Sequence, residues 1–326
     1  MKILVTGVAG FIGFHLANAL IERGENILGV DNVSDDGNLK IKKARLGGLL
    51  KLDRFRFEKM ELSDKEVVEQ LFNTEKPEIV IHLAAQSGVR KSLKQPHISI
   101  ESNIVGFVNV LEGCRQTNVR HLLFASSSSV YGENFDMPFT LNHRTDKPLS
   151  LYGASKKSNE VMAYSYSHLF GFSCTGLRFF TVYGAWGRPD MALYKFTKAI
   201  LDGKPIDVFN EGNLERDFTY IDDIVNWVLC LIDQPKEGFK LYNLGYGAPI
   251  NLMQFIEELE KSIGEKARLN LLPMQDGDVP VTYADNSSIV RETGIHPSIP
   301  IEVGVPKFVE WYREYYSHSY LGIEVN

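Results

Sequence analysis

Short apolar runs and amphipathic stretches alternate along the first half of the chain, and that alternation predicts most of the fold. Residues 2–6 (KILVT) form an uninterrupted apolar run, the pattern of a strand buried on both faces. Helical spacing follows at 13–23, and further strand-like runs at 27–30 and 55–58. Residues 65–73 read as a helix, 78–84 (EIVIHLA) as a strand and 98–117 as one long helix. The pattern continues with a strand at 121–126 (HLLFAS), a helix at 152–170 and a strand at 173–180 (SCTGLRFF). Alternation of this kind predicts an α/β fold, a doubly wound parallel sheet that binds ligands beyond the carboxyl ends of its strands.

After residue 180 the rhythm loosens. Loops rich in glycine and proline (YGAWGRPDM, NEGNLERD, MQDGDVP) separate short helices at 193–201, 221–232 and 252–263. We therefore expect a cofactor domain over 1–180, a segment near 217–245 returning to it, and a smaller substrate-binding lobe over most of 181–326. LGGLLK (46–51) and NFDMPFTLNHRTDKP (134–148) read as loops, and no internal repeat is evident.

Composition narrows the function. The 326 residues are 44% hydrophobic and 23% charged, with a net charge of −6, which disfavours a nucleic-acid partner. An anionic substrate would need a local cluster of arginines. The three cysteines, Cys114, Cys174 and Cys230, form no Cys-x-x-Cys pair and share no zinc spacing with the eight histidines. We expect no metal and a reducing, cytoplasmic setting. The start, MKILVTGVAGFIGFHLANAL, superficially resembles a signal peptide, but three glycines and His15 interrupt its apolar run. No apolar run approaches the roughly 20 residues that span a bilayer, so no membrane partner is expected.

Those glycines have a better use. Gly7-Val-Ala-Gly10-Phe11-Ile12-Gly13 follows a strand and opens a helix, the setting of a Rossmann-type dinucleotide turn. Gly7 permits the sharp turn, Gly10 lets the backbone approach a pyrophosphate, and Gly13 lets the helix pack against the strand. The exposed N–H groups at the helix start then hold phosphate. Asp31, eighteen residues beyond Gly13, is placed to accept hydrogen bonds from a ribose diol, which favours NAD over NADP. Asn32 beside it and Leu83-Ala84-Ala85 at another strand end complete the expected lining. Asn103 either approaches the cofactor or caps backbone groups.

The catalytic candidates are Tyr152 and Lys156 in YGASK, at i and i+4 and hence on one helical face. A phenol has an ordinary pKa near 10, so a phenolate at neutral pH needs a shift of about 3 units, or about 4 kcal/mol. A neighbouring ammonium and a positive nicotinamide supply such a shift.

With these residues in place, the chain resembles the extended short-chain dehydrogenase/reductases, and within them nucleotide-sugar epimerases of the UDP-glucuronate 4-epimerase type. The likeness runs end to end, through VTGVAGFIG, HLAAQSGVRKSL, SSSSVYG, YGASKKSNE, GLRFFTVYGAWGRPDMALYKFTKAILDGKPIDVF, RDFTYIDDI and GDVPVTYAD. It implies an isomerase that inverts C4 of UDP-glucuronate to give UDP-galacturonate through a 4-keto intermediate, with tightly bound NAD. Tyr152 would take the 4-hydroxyl proton, Ser127 would hydrogen-bond the same oxygen, and Lys156 would tune Tyr152 and bind the nicotinamide ribose. Related dehydratases and decarboxylases carry acids just after the catalytic hydroxyl, where this chain has Ser128 and Ser129. The intermediate should therefore be returned rather than processed further.

On the substrate side the resemblance implies that Thr181 and Arg188 meet the uronate carboxylate. Arg216 would pair with the diphosphate, Asp278 with the uridine ribose, and Arg90 would lie near the substrate. Two departures stand out: Glu61 where relatives have aspartate near the adenine, and Ala185 where proline is common. The alternatives are an epimerase of UDP-hexose or UDP-N-acetylhexosamine, a UDP-glucuronate decarboxylase, or a non-catalytic cofactor-binding protein. The family also implies a homodimer through 98–117 and 152–170, and a product used in polysaccharide biosynthesis.

Overall fold

The structure, a computed structural model, describes residues 1–35, 38–275 and 279–320. Its main sheet has seven strands, in the order Phe239–Leu244, Ser173–Phe179, His121–Ser127, Ile79–His82, Lys2–Thr6, Asn26–Asp31 and Phe55–Lys59. Every pairing is parallel, with Lys2 opposite Asn26 on one side and Ile3 opposite Ile79 on the other. The apolar runs are continuous because both faces are covered. Ile3 and Val5 enter one core cluster with Ile79, Ile81 and Leu123, while Leu4 enters another with Val80, Leu122 and Phe124. Strand order reverses on either side of Lys2–Thr6, and a crevice opens where the connections diverge.

Two readings of the pattern change. LGGLLK is not a loop, because Leu39–Leu49 is a helix whose Ile41, Leu46 and Leu49 are buried. The helical stretch expected over 98–117 is present, but in three pieces: Pro96–Ile100, a π turn at Glu101–Val105, and Gly106–Gln116.

Beyond residue 180, short strands pair across long sequence separations. Thr181–Tyr183 lies parallel to Phe218–Tyr220, and Pro205–Phe209 parallel to Arg268–Leu272. Glu215–Arg216 pairs with both Ile250–Asn251 and Val281–Thr282. Phe239–Leu244 then joins the main sheet beside Ser173–Phe179. The last helix, Ile301–Tyr320, buries Val305, Phe308, Val309 and Tyr312. Among the described residues, no helix is long and apolar enough to cross a membrane.

Candidate active site

The first strand ends in a turn that brings backbone segments closer than a side chain permits. Gly7 has φ +71°, and a Cβ there would lie 2.7 Å from the Ala84 nitrogen. A Cβ on Gly13 would lie 2.3 Å from the Gly7 carbonyl. These contacts seat the Phe11–Glu22 helix over the strand end, with its N-terminus facing the crevice. Asp31 braces the turn: its carboxylate accepts from Ala9 N at 3.1 Å and from Val33 N at 2.8 Å. Asn32 donates to Glu61 at 2.9 Å, so Glu61 sits on the same rim.

One cleft of about 280 Å³ runs from Asp31, Asn32 and Glu61 past Gly7, Gly10, Phe11, Ile12 and Gly13 to Ser127, Tyr152 and Lys156. Leu83, Ala84 and Ala85 line its floor, and Phe180 and Arg188 its far end. Asn103 lies elsewhere. It is fully buried and holds the backbone of Gln86 (2.7 and 3.2 Å) and Ser155 Oγ (3.0 Å), which steadies the loop behind the cleft.

Tyr152 and Lys156 stand on the first turns of Leu151–Phe170, a helix capped by Ser150 Oγ, which accepts from Gly153 N at 3.0 Å. Burial pushes the Tyr152 phenol above its ordinary value; the Arg188 guanidinium and a hydrogen bond with Ser127 pull it back. Lys156 is not among the groups that lower the phenol. Its own ammonium is pulled down to about 8 by burial alone, and its Nζ is enclosed without a hydrogen-bond partner. A buried ammonium with unmet donors, at the end of a cleft that begins at a glycine turn, fits the ribose hydroxyls of a dinucleotide.

Ser127 ends its strand, and its Oγ accepts from Ser129 N at 3.1 Å, starting the short turn Ser128–Tyr131. That strand end is braced from behind. Ser126 donates to Glu160 at 2.6 Å, and Arg178 grips both Glu160 oxygens at 2.8 Å. Arg178 also reaches Tyr131, whose hydroxyl donates to Asn243 at 2.6 Å.

Arg188 is anchored at both sides. Its Nε and Nη2 donate to Asp190 at 3.0 and 2.6 Å, and its Nη1 to Ser87 Oγ at 2.6 Å. Burial works to raise the Asp190 carboxyl, but the bonds from Arg188 overcome it and hold the group below its ordinary value. Thr181 lines a smaller recess that shares Val182, Arg188 and Met191 with the cleft.

Three further expected residues do not line the cleft. Ser128 is half-buried at the start of the short turn, Arg90 lies over the Phe209 ring at 5.8 Å, and Arg216 donates to the Glu215 and Pro280 carbonyls at 2.9 and 3.0 Å. Asp278 lies outside the described residues. Sequence reasoning missed Lys42, Arg45 and Ser87, all of which line the cleft. Lys42 and Arg45 sit in LKIKKARL, which reads as an ordinary charged surface helix.

A family model described as "NAD dependent epimerase/dehydratase family" matches residues 3–245. Protein CapI of Staphylococcus aureus is 49% identical over 97% of this chain and 99% of its own length. A probable UDP-glucuronate 4-epimerase of Rhizobium meliloti (strain 1021) is 43% identical over 98% of this chain and 99% of its own. The crystal structure of UDP-glucuronic acid 4-epimerase from Bacillus cereus, in complex with UDP-glucuronic acid and NAD, superimposes with a TM-score of 0.91. It is 32% identical and covers 97% of this chain and all of that one.

Proposed function

The chain belongs to the NAD dependent epimerase/dehydratase family, and from that premise we propose that it inverts C4 of a UDP-hexuronate, interconverting UDP-glucuronate and UDP-galacturonate. The observation that carries the reading is a single cleft that brings Ser127, Tyr152 and Lys156 together with Arg188 at the far end of a dinucleotide turn. NAD, bound along Gly7–Gly13, Asp31 and Lys156, supplies hydride acceptance and return at C4. Tyr152 takes the proton of the 4-hydroxyl as the C4–H bond breaks, and it returns a proton when the hydride comes back to the opposite face. Ser127 holds the same oxygen. Lys156 binds the nicotinamide ribose.

Thr181 and Arg188 take the uronate carboxylate. This clamp also protects the 4-keto uronate, a β-keto acid inclined to lose carbon dioxide. Arg216 is assigned to the diphosphate, Asp278 to the uridine ribose and Arg90 to the substrate side. The turn after Ser127 offers two hydroxyls, Ser128 and Ser129, and no acid for further proton transfer. That supports return of the intermediate over decarboxylation. In this scheme residues 1–180 with 217–245 serve the cofactor and the rest of 181–326 the sugar nucleotide.

The test is purified protein with UDP-glucuronate, the products resolved by chromatography and carbon dioxide monitored. UDP-galacturonate without carbon dioxide is expected; UDP-xylose, or turnover of neutral sugars only, rejects the assignment.

The protein acts as a homodimer in a cytoplasmic setting, its product a precursor for polysaccharide. Support for the dimer comes from apolar side chains left exposed on two neighbouring stretches, Ile98 and Val105 within 96–105 and Val161, Tyr164, Leu169 and Phe170 on the helix Leu151–Phe170. Light scattering should give twice the 36.8 kDa chain mass. A monomer at micromolar concentration would remove the pairing.

A further inference from the structure

The loop that carries Arg188 is held by side chains from the cofactor half. Three consecutive carbonyls are gripped. His15 Nε2 lies 2.9 Å from Ala185 O. Arg45 reaches Trp186 O with Nε at 3.1 Å and Nη2 at 2.5 Å, and Gly187 O with Nη2 at 3.1 Å. Its Nη1 donates at 2.9 Å to Ala9 O, inside the dinucleotide turn.

Arg45 is 1% exposed, and among the described residues no carboxylate is one of its hydrogen-bond partners. A buried guanidinium kept only for stability is usually replaceable by apolar packing. Here all four bonds go to the backbone of two loops, the dinucleotide turn and the loop that carries Arg188. Trp186 has φ +59°, a left-handed conformation that a bulky residue adopts only when its surroundings enforce it. Its indole is wedged against Phe14, Trp311 and Tyr315, at 5.3, 5.3 and 5.2 Å between ring centroids. The loop thus has a defined path, and Arg45 ties that path to the dinucleotide turn.

We propose that Arg45 is a positioning residue for carboxylate recognition: it joins Ala9 to Trp186 and Gly187, and so sets where the next residue, Arg188, presents its guanidinium. The proposal rests on Arg188 reading the uronate. Arg188 is already fixed at its tip by Asp190 and Ser87, so a shift of its backbone would strain those anchors and misaim the group. Misplacement by an ångström weakens a contact that depends on geometry and leaves others intact.

Holoenzyme carrying Arg45→Met, Arg45→Lys or Arg188→Ala is titrated by calorimetry with UDP-glucuronate and with UDP-glucose. Arg45→Met should weaken UDP-glucuronate binding about tenfold and UDP-glucose binding less than about twofold, since only the first ligand uses the guanidinium. Arg45→Lys, with one ammonium for carbonyls of two loops, should recover part of the loss. Acrylamide should quench tryptophan emission more readily in Arg45→Met, because Trp186 loses its clasp. If Arg45→Met does not fold, Arg45→Lys and His15→Phe carry the same comparison. Equal weakening of both ligands, or unchanged UDP-glucuronate binding, overturns the proposal while a uronate-selective defect in Arg188→Ala keeps the carboxylate reading. If Arg188→Ala shows no such selectivity, that reading fails and the proposal with it.

Discussion

Tyr152→Phe is expected to lower turnover of UDP-glucuronate about a thousandfold while NAD stays bound and substrate affinity changes by less than about fivefold. A thousandfold loss is about 4 kcal/mol of transition-state stabilisation, within the range of a positioned acid–base group. The ring is retained, so the cleft keeps its shape; only the oxygen that Ser127 holds is lost. The sign of the pH dependence also follows. Burial pushes the phenol up and Arg188 with Ser127 pulls it down, and only the deprotonated form can accept the proton. Activity of the intact enzyme should therefore fall as pH drops through the phenol's pKa, and the residual activity of the variant should lose that limb. Single-turnover absorbance of reduced nicotinamide on mixing with substrate measures the chemistry directly. Turnover within tenfold of the intact enzyme would reject Tyr152 as the base.

The parts of this site visible in the sequence are those whose chemistry is local. Gly7, Gly10 and Gly13 act within one turn, and Tyr152 and Lys156 within one helical turn, so spacing alone brings them together. Six of the seven strands of the main sheet were legible for a similar reason, since most are apolar runs bounded by helical periodicity, whereas Phe239–Leu244 was foreseen only as part of a returning segment. Arg45 was not legible because its partners at Trp186 and Gly187 lie more than 140 positions away, and LKIKKARL carries no sign that one of its cations is buried. LGGLLK read as a loop, yet burial of Leu46 and Leu49 outweighs the poor helix propensity of Gly47 and Gly48. The lobe's strands are two to five residues long and pair across gaps such as Pro205–Phe209 with Arg268–Leu272. Periodicity over so few residues gives no signal. Asn103 shows the limit at a single residue: a buried amide beside a cofactor site looks the same in sequence whether it faces the ligand or the backbone.

Arg188→Ala should weaken UDP-glucuronate binding about a hundredfold, or about 2.7 kcal/mol, and leave UDP-glucose nearly unaffected. A charge-assisted hydrogen bond contributes about 1.5–3 kcal/mol, and a guanidinium meets a carboxylate with two of them in a matched fork. Against that gain, the substrate carboxylate approaches a group that Asp190 already partly neutralises, which keeps the expected loss near the value for one bond. A second effect separates this residue from a simple substrate clamp. The Arg188 guanidinium is the first of the two influences that lower the Tyr152 phenol. Removing a positive charge disfavours the phenolate, so the acid limb of the kcat/KM profile should move to higher pH in the variant, while Thr181→Val should weaken uronate binding and leave the limb in place. The measurements are calorimetry with both nucleotide sugars and pH profiles of the two variants. Equal losses on uronate and hexose would reject the carboxylate role, and an unmoved acid limb would mean that the guanidinium does not act on the phenol. Both results expected together make one arginine serve substrate choice and the basicity of the group that starts the reaction.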